Sequence, residues 1–194
     1  MPPAAIATMF ESPATRFGAA AKVTVPFNPD NLRWAPDGRA FVVEKSGDLI
    51  VKFHADEAAV MREYVIPLAH QATKALSEKY QVTLKGPILI EIFPTHDDFA
   101  VRTLGLPGMV GALGACFGRV VTLDSPSARE PGTFNWAETL WHEMAHVITL
   151  QLSNQRVPRW LTEGISVYEE GKARPEWGRD MEVPFARALQ QGEI

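Results

Sequence analysis

Residues 139–150, TLWHEMAHVITL, restrict the fold more than any other part of this sequence. Apolar residues occupy nearly every position that a helix would bury, so the segment predicts a helix packed inside the protein. His142, Glu143 and His146 nevertheless lie in its middle. Burial of polar groups without partners is costly. The two imidazoles must therefore find ordinary hydrogen-bond partners or hold a metal ion.

His142 and His146 form the pattern HExxH together with Glu143. Residues four apart in a helix lie about 40° apart around the axis and about 6 Å apart along it, so the two imidazoles can meet at one point. Glu143, rotated by about 100° from His142, can reach a water at that point as a general base. With this many histidines and glutamates, a chance match is expected roughly 0.01 times. A metal-free helix, whose histidines bond to backbone or carboxylates, remains the alternative.

Glu163 is the candidate for the third ligand that a catalytic zinc site needs beside its open position. It follows His146 at a distance that leaves room for a turn, marked by Ser153-Asn154 and Pro158, and an antiparallel helix. An acidic residue among apolar neighbours needs a cation, and Zn²⁺ would serve. The alternative is a surface or capping carboxylate. The apolar neighbours expected to pack this helix are Trp160, Leu161, Ile165 and Tyr168.

Glu170 lies two helical turns beyond Glu163 on the same face. We predict that it accepts a hydrogen bond from the free nitrogen of a ligating histidine, because metal-bound imidazoles usually have such a partner. Its neighbour Glu169 points in another direction and is predicted to face solvent.

Composition narrows the class of protein. The 194 residues can form one domain or slightly more with a real core, and 46% of them are hydrophobic. The net charge of -4, without a basic cluster, argues against a nucleic-acid partner. No apolar run is long enough to span a membrane, and the N-terminus lacks the pattern of a signal peptide. Cys116 is the single cysteine, so the sequence leaves the compartment undecided.

The order of elements indicates an α+β fold. We interpret residues 1–31, rich in Pro and Ala, as a linker or a remnant of an upstream region, and residues 32–194 as one domain. Hairpins are predicted between residues 32 and 53, and a helix over 56–80 that Pro67 should kink or split. Further along, the patterns predict a strand at 88–93, a short capped helix at 95–105, a glycine-rich loop at 107–118, a strand at 119–124, and helices at 134–152, 158–170 and 183–192. The tryptophans expected in the core are Trp136, Trp141, Trp160 and Trp177.

WHEMAH followed by WLTEGISVYEEG resembles the gluzincin zinc metallopeptidases of the MA clan, in which a glutamate on the following helix completes HExxH. EGISVYEE is similar to the aminopeptidase-type segment E-G-x-x-x-Y-x-E, whose second acid, here Glu170, supports a zinc-bound histidine. The run from ILIEIFPTHDDFA through FGRVVTLDSP most resembles bacterial peptidase MA-like domains, which are often attached to tetratricopeptide repeats. The similarity covers about residues 56–175.

This resemblance implies a zincin-like catalytic subdomain, in which a small mixed or antiparallel sheet packs on the HExxH helix and the glutamate helix. It also implies a zinc-dependent peptidase, and we expect an endopeptidase because no GAMEN-like exopeptidase motif is present. Two features depart from the family: the gap between His146 and Glu163 is slightly shorter than in the best-known gluzincins, and only about twenty residues follow the glutamate helix. The family usually has a further helical subdomain there, so we expect a chain truncated at its C-terminus.

The mechanism implied by the resemblance uses Zn²⁺ held by His142, His146 and Glu163, with Glu143 taking a proton from the attacking water. A Tyr or His usually assists, but Tyr168 is expected in the core. Two other functions stay open: a zinc-binding but catalytically silent scaffold domain, and a metal-free helical domain.

Substrate is expected at the strand over residues 119–124. As an edge strand, it would pair with an extended peptide through Val120, Val121 and Thr122. The alternative is an ordinary internal strand. The glycine-rich loop before it is consistent with a mobile flap or with a tight connection.

Overall fold

The computed structural model describes residues 32–34, 40–105, 111–179 and 182–193. The predicted linker over residues 1–31 and the turn around Asp37-Gly38 lie outside these ranges. Within them, the strands are β1 (Leu32–Trp34), β2 (Ala40–Ser46), β3 (Leu49–His54), β4 (Ile88–Phe93), β5 (Gly114–Phe117) and β6 (Val120–Asp124). They form one sheet in the order β1-β2-β3-β4-β6-β5.

Five α-helices lie in the same ranges. They are α1 (Ala58–Tyr80), α2 (His96–Leu104), α3 (Trp136–Leu152), α4 (Arg159–Ala173) and α5 (Glu182–Gln191), with a 3-10 turn at Pro126–Ala128. The β3–β4 and β4–β6 pairs are parallel, whereas β1–β2, β2–β3 and β5–β6 are antiparallel. The sheet is therefore mixed, and the predicted α+β class is confirmed at this level.

Local sequence signals explain several of the boundaries. Gly47 has a φ of +58°, as the tight β2–β3 turn requires, and the predicted hairpin is present. The hydroxyl of Thr95 accepts a hydrogen bond from the Asp98 amide at the start of α2, and Gly105 ends the helix at a φ of +75°. The short capped helix predicted there is confirmed.

The core lies between the sheet and the pair α1 and α3. Because side chains alternate between the two faces of a strand, Ile90 and Ile92 of β4 join this core. Glu91 between them faces the other way and accepts a hydrogen bond from Arg102 of α2. Helix α2 therefore covers the opposite face, and α3 packs on β5 and β6.

Pro67 does not split the first long helix, because α1 is continuous from Ala58 to Tyr80. A proline inside a helix removes one backbone hydrogen bond and costs about 3 kcal/mol. The buried stripe along α1 offsets this cost by packing against the core. Of the two predicted effects of Pro67, a kink or a split, the split is wrong. The stripe consists of Ala58, Met61, Val65, Ala69, Ala72 and Leu76.

The glycine-rich segment contains a strand that its composition did not predict. Residues 106–110 lie outside the described ranges, but Gly114–Phe117 form β5, which pairs with β6 through a turn where Gly118 has a φ of +72°. As a result, β6 lies between β4 and β5. The prediction that residues 119–124 form an edge strand is wrong, and the alternative of an internal strand holds.

Three of the four apolar residues expected to pack α4 lie at the surface: Trp160 is 74%, Tyr168 53% and Leu161 38% exposed. Trp141 and Trp177 are buried as expected. The two buried tryptophans contact each other, with ring centroids 6.2 Å apart. The outer face of α4 is thus apolar, which is the reverse of the expected orientation. None of the helices in the described ranges combines the length and the apolar character needed to cross a bilayer.

We predict that Leu76→Ala lowers the free energy of unfolding by about 2–5 kcal/mol, because it removes a buried side chain from a close-packed core. Leu76 is 1% exposed, whereas Val60 on the same helix is 62% exposed. Val60→Ala is therefore the matched control and should change stability by less than about 0.5 kcal/mol. Urea unfolding of the three proteins measures both. Equal effects of the two substitutions would contradict this packing of α1.

Candidate metal centre

Helix α3 presents His142, Glu143 and His146 from one turn, as the HExxH spacing predicts. The side chain of Asn135 caps the helix by accepting a hydrogen bond from the Glu138 amide. The opposite face of α3 packs into the core through residues such as Met144 and Ile148. The histidine side is therefore held rigidly at the point where α3 meets the next helix.

Helix α4 runs antiparallel to α3 and brings Glu163 to the histidines. A turn with left-handed residues at Asn154 and Gln155 joins the two helices, and Pro158 immediately precedes α4, as predicted. Oε2 of Glu163 lies 3.2 Å from Nε2 of His142 and 3.3 Å from Nε2 of His146. The two Nε2 atoms are 3.0 Å apart. The structure thus brings together the three predicted ligand residues.

The hydrogen bonds behind His146 determine which of its nitrogens carries a proton. Thr149 donates its hydroxyl proton to the carbonyl of His146 at 3.2 Å. In the 2.6 Å contact between the two hydroxyls, Thr162 must then be the donor. Thr162 therefore accepts from Nδ1 of His146, which is 2.7 Å away. This chain fixes the proton on Nδ1 and leaves Nε2 as a lone pair.

His142 is oriented in the same way by a carboxylate. Its Nδ1 lies 2.5 Å from Oε1 of Glu170, the residue predicted to support a ligating histidine. A carboxylate accepts from an imidazole N–H, so the neutral ring of His142 also turns its Nε2 lone pair towards the cluster. The hydrogen bond expected of Glu170 is present.

Three acceptor atoms therefore face one another at van der Waals distance or closer, which is repulsive unless a proton or a metal ion lies between them. Tetrahedral ligands at about 2.0–2.2 Å from a metal are about 3.3–3.5 Å apart. The observed separations of 3.0, 3.2 and 3.3 Å agree with that spacing within a few tenths of an ångström. The donor set of His142, His146 and Glu163 can hold a metal ion.

Charge and burial change the pKa values of the two histidines, and so determine how strongly protons compete with a metal ion for their nitrogens. Burial lowers the pKa of His142, but the hydrogen bond to Glu170 and the charges of Glu143, Glu170 and Glu163 raise it more, so the pKa lies above 6.5. Burial and the charge on His142 lower the pKa of His146. In the metal-free cluster, a proton is accordingly held by His142.

Glu143 lies beside the three ligands and is nearly inaccessible to solvent. Its Oε2 atom is buried and makes no hydrogen bond within the described residues. Burial raises the pKa of Glu143 to about 8; the charge on His142 opposes this rise, and the charges of Glu163 and Glu170 add to it. An unpartnered buried carboxyl of this kind is costly, and such groups concentrate at functional sites.

Gly114 on β5 makes room for Glu143. A Cβ atom at this position would lie 2.8 Å from Oε1 of Glu143 and 3.0 Å from Cγ2 of Thr139, closer than real contacts allow. The backbone of the edge strand can therefore approach the carboxyl only because residue 114 has no side chain. No sequence pattern indicated this role, since Gly114 is one of several glycines in its segment.

A cleft of about 870 Å³ opens over the cluster. One wall is formed by residues 111–117, including β5, and the other by α3 and the start of α4. All five acidic and histidine residues of the cluster line it, namely His142, Glu143, His146, Glu163 and Glu170. Any ion at the cluster therefore has access to molecules that enter from solvent.

Other predicted site residues lie elsewhere. Val120, Val121 and Thr122 belong to the internal strand β6 and are not among the residues that line the cleft. Their predicted pairing with a substrate is wrong, because both sides of β6 already pair with neighbouring strands. Glu169 was expected to face solvent but is 3% exposed and bonds to Lys79 and Tyr80.

The sequence patterns did not predict roles for Thr149 and Thr162. Thr149 follows His146 by three residues and Thr162 immediately precedes Glu163. A hydroxyl group so close to a predicted ligand is the signal that could have indicated both roles.

Comparison of the chain with models of protein families, with curated proteins and with solved structures found no match.

We predict that Co²⁺ binds at about one ion per chain, with the visible spectrum of a tetrahedral site, and that its affinity falls as the pH decreases. The raised pKa of His142 means that protons begin to compete above pH 6.5. Glu170→Gln removes the neighbour that raises this pKa, so the fall should move to lower pH. Titrations between about pH 5.5 and 8 measure it.

The control for this titration is His70→Ala. His70 lies on α1, where its ring bonds to Ser46, remote from the cluster. This variant should bind Co²⁺ with an unchanged pH profile. A loss of binding in this variant, or binding that does not depend on pH in the unaltered protein, would contradict the assignment of the ligands.

Proposed function

We propose that the protein is a zinc-dependent peptidase of the gluzincin type that cleaves within peptide chains. The observation that carries this proposal is the meeting of two imidazole lone pairs and a carboxylate in an open cleft, beside the buried carboxyl of Glu143, whose Oε2 has no partner in the described part of the chain. Imidazole nitrogen with one carboxylate is a donor set that suits zinc. The mixed sheet beside the HExxH helix and the glutamate helix is consistent with a zincin-like fold.

The residues divide the chemistry between them. Zn²⁺, when bound, polarises the scissile carbonyl and lowers the pKa of a water molecule. His142, His146 and Glu163 would hold the ion, while Glu170 and Thr162 keep the two rings in the correct orientation. Glu143 accepts the proton of the attacking water and passes it to the leaving amine. A base with a pKa near the working pH is suited to both transfers.

We place the substrate along β5. In the described part of the chain this strand pairs with β6 on one side, and its residues line the cleft. An extended peptide can add to such an edge through main-chain hydrogen bonds. Because Gly114 lies against Glu143, a peptide bond in that position would come close to the general base. The edge of β5 thus has the substrate-pairing role that we expected, from the sequence, of β6.

A catalytically silent, zinc-binding scaffold domain is the second candidate. It needs the three ligands and their hydrogen-bonding partners, but it has no use for Glu143 in its present state. At a purely structural site, a buried carboxyl oxygen without a hydrogen-bond partner would lower the stability of the protein and serve no function. This cost favours the peptidase over the scaffold.

We predict that Glu143→Gln abolishes the cleavage of unfolded casein, with a loss of about 10²–10⁴-fold, but leaves one zinc per chain. The amide has nearly the shape of the carboxyl but cannot accept the proton. His146→Ala should lose both zinc and activity. Zinc analysis and casein digestion of the same preparations separate the outcomes. Cleavage that persists in Glu143→Gln would remove this residue from its role, and zinc without cleavage in the unaltered protein would favour the scaffold.

We further predict that Gly114→Ala lowers kcat by about 10²-fold while zinc binding is retained, because the added methyl group displaces the general base. The matched control is Gly164→Ala on α4, where an added Cβ meets no atom within 4 Å. That variant should cleave casein at the original rate. Equal rates for the two variants would show that the space at Gly114 does not position Glu143.

A further inference from the structure

Helix α4 is held to the protein by its polar side chains. Its fully buried residues are Thr162, Ser166, Glu169 and Glu170, all of them polar. Most of its large apolar residues, including Trp160, Leu161 and Tyr168, are exposed. A helix normally gains its place by burying an apolar stripe. The apolar contacts of α4 are limited to residues such as the half-buried Ile165 and Ala173, so directional polar contacts contribute most to its position and rotation.

Most of these contacts belong to the metal centre itself. Thr162 bonds to His146, and Glu163 and Glu170 lie against His142. These contacts hold α4 to α3. Because they are part of the metal centre, they cannot position α4 independently of that centre. Glu169 reaches in a different direction, towards the end of α1, whose position is fixed by the core.

Glu169 makes three close contacts there. The ammonium group of Lys79 lies 2.6 Å from Oε1 and 2.9 Å from Oε2 of the carboxylate. The hydroxyl of Tyr80 donates to Oε1 at 2.6 Å. Lys79 also lies over the ring of Tyr168, 4.8 Å from its centroid. The two oxygens are thus bound by a cation and a hydroxyl from consecutive residues, which resists both sliding and rotation of α4.

Because of the position of Glu169 on α4, its contacts with α1 affect the geometry of the metal centre. Glu169 and Thr162 are seven residues apart, so they lie on nearly the same face, about 10 Å apart along the axis. A roll of α4 by 20° would move side chains at a radius of about 5–6 Å by about 2 Å. Metal and catalytic groups must be held within about 0.5 Å. Even a small roll would therefore separate Glu163 and Thr162 from the histidines.

We infer that Glu169 is a positioning residue for the metal centre. Its contacts with Lys79 and Tyr80 fix the rotation of α4 against α1, and this rotation places Thr162, Glu163 and Glu170 around the two histidines. The inference rests on the proposed metal-binding function, since it concerns the geometry of that same site. Glu169 itself does not touch the ion or the substrate.

The test measures zinc affinity and global stability separately in three variants. Glu169→Gln removes the charge with little change in shape, Lys79→Met removes the partner cation, and Tyr80→Phe removes a single hydroxyl and should disturb folding least. We expect zinc affinity to fall by about 10–100-fold in Glu169→Gln and Lys79→Met, and less in Tyr80→Phe. The Co²⁺ spectrum should change in the same order. Chelator competition on folded protein gives the affinities, and urea unfolding of zinc-free protein gives the stabilities.

The matched control is Glu44→Gln. Glu44 forms an ion pair with Arg62, which also ties α1 to a neighbouring element but lies away from the metal centre. This variant should keep both the zinc affinity and the Co²⁺ spectrum, whatever its effect on stability. A structural role alone would lower the stability of the Glu169 variant and leave its zinc affinity unchanged, as in the control.

The outcomes separate this inference from the function on which it rests. If the unaltered protein binds zinc and all three variants bind it equally well, the positioning role is overturned and the metal centre stands. If the unaltered protein binds no zinc, the proposed function fails and the inference fails with it. Graded losses of affinity with an unaltered Glu44 control support it.

Discussion

The rest of this structure depends on one unfavourable contact, the approach of three acceptor atoms within 3.3 Å of one another. Glu170 and Thr162 hydrogen-bond to the Nδ1 atoms of His142 and His146 and so orient the Nε2 atoms towards each other. Helix α4 carries Glu163 to the same point. The partners use up the N–H donors of both rings, so the cluster cannot satisfy itself by internal hydrogen bonds. Only a proton or a cation balances it. The arrangement of donors and acceptors, independently of any motif, therefore shows that these three residues could hold a metal ion.

The fold supplies two kinds of support for this contact. The first is the apolar core, which fixes α3 and α1 against the sheet through shape and burial. The second is a set of polar bonds that fixes α4, whose inner face is polar. Apolar packing tolerates small shifts, whereas hydrogen bonds and ion pairs lose strength steeply with distance and angle. Helix α4, which carries Glu163, is thus the most precisely oriented part of the site. Its orientation also depends most strongly on individual side chains.

Sequence patterns predicted the elements that local chemistry determines. The α3 periodicity, the turn before Pro158 and the capped helix after Thr95 each depend on residues within a few positions, and all are present. The meeting of His142, His146 and Glu163 was predictable because helix geometry and one short turn leave few alternatives. The failures concern non-local partners. The edge strand β5 has the composition GACF, without a β-forming pattern, and its existence depends on pairing with β6.

The orientation of α4 failed for a related reason. Its spacing allows either face to be buried, and hydrophobicity favoured the face that carries Trp160 and Tyr168. The buried face is polar because its partners, Lys79, Tyr80, Thr149 and the two histidines, lie on α1 and α3. No pattern within the sequence of α4 predicts contacts with those residues. For the same reason Glu169 resembled a solvent-facing neighbour of Glu170, although it is the more buried of the two.

The balance between a catalytic and a structural metal site depends on what surrounds the ligands. A structural zinc site is closed by four protein ligands, whereas this cluster offers three and opens to a cleft, with Glu163 itself 41% exposed. Gly114 leaves the space that the carboxyl group of Glu143 fills, since a side chain at residue 114 would clash with it. Oε2 of that carboxyl group is buried and has no hydrogen-bond partner among the described residues. The local energy is therefore higher than a purely structural site requires. That excess is understandable if the carboxyl must be free to exchange a proton with something that enters the cleft.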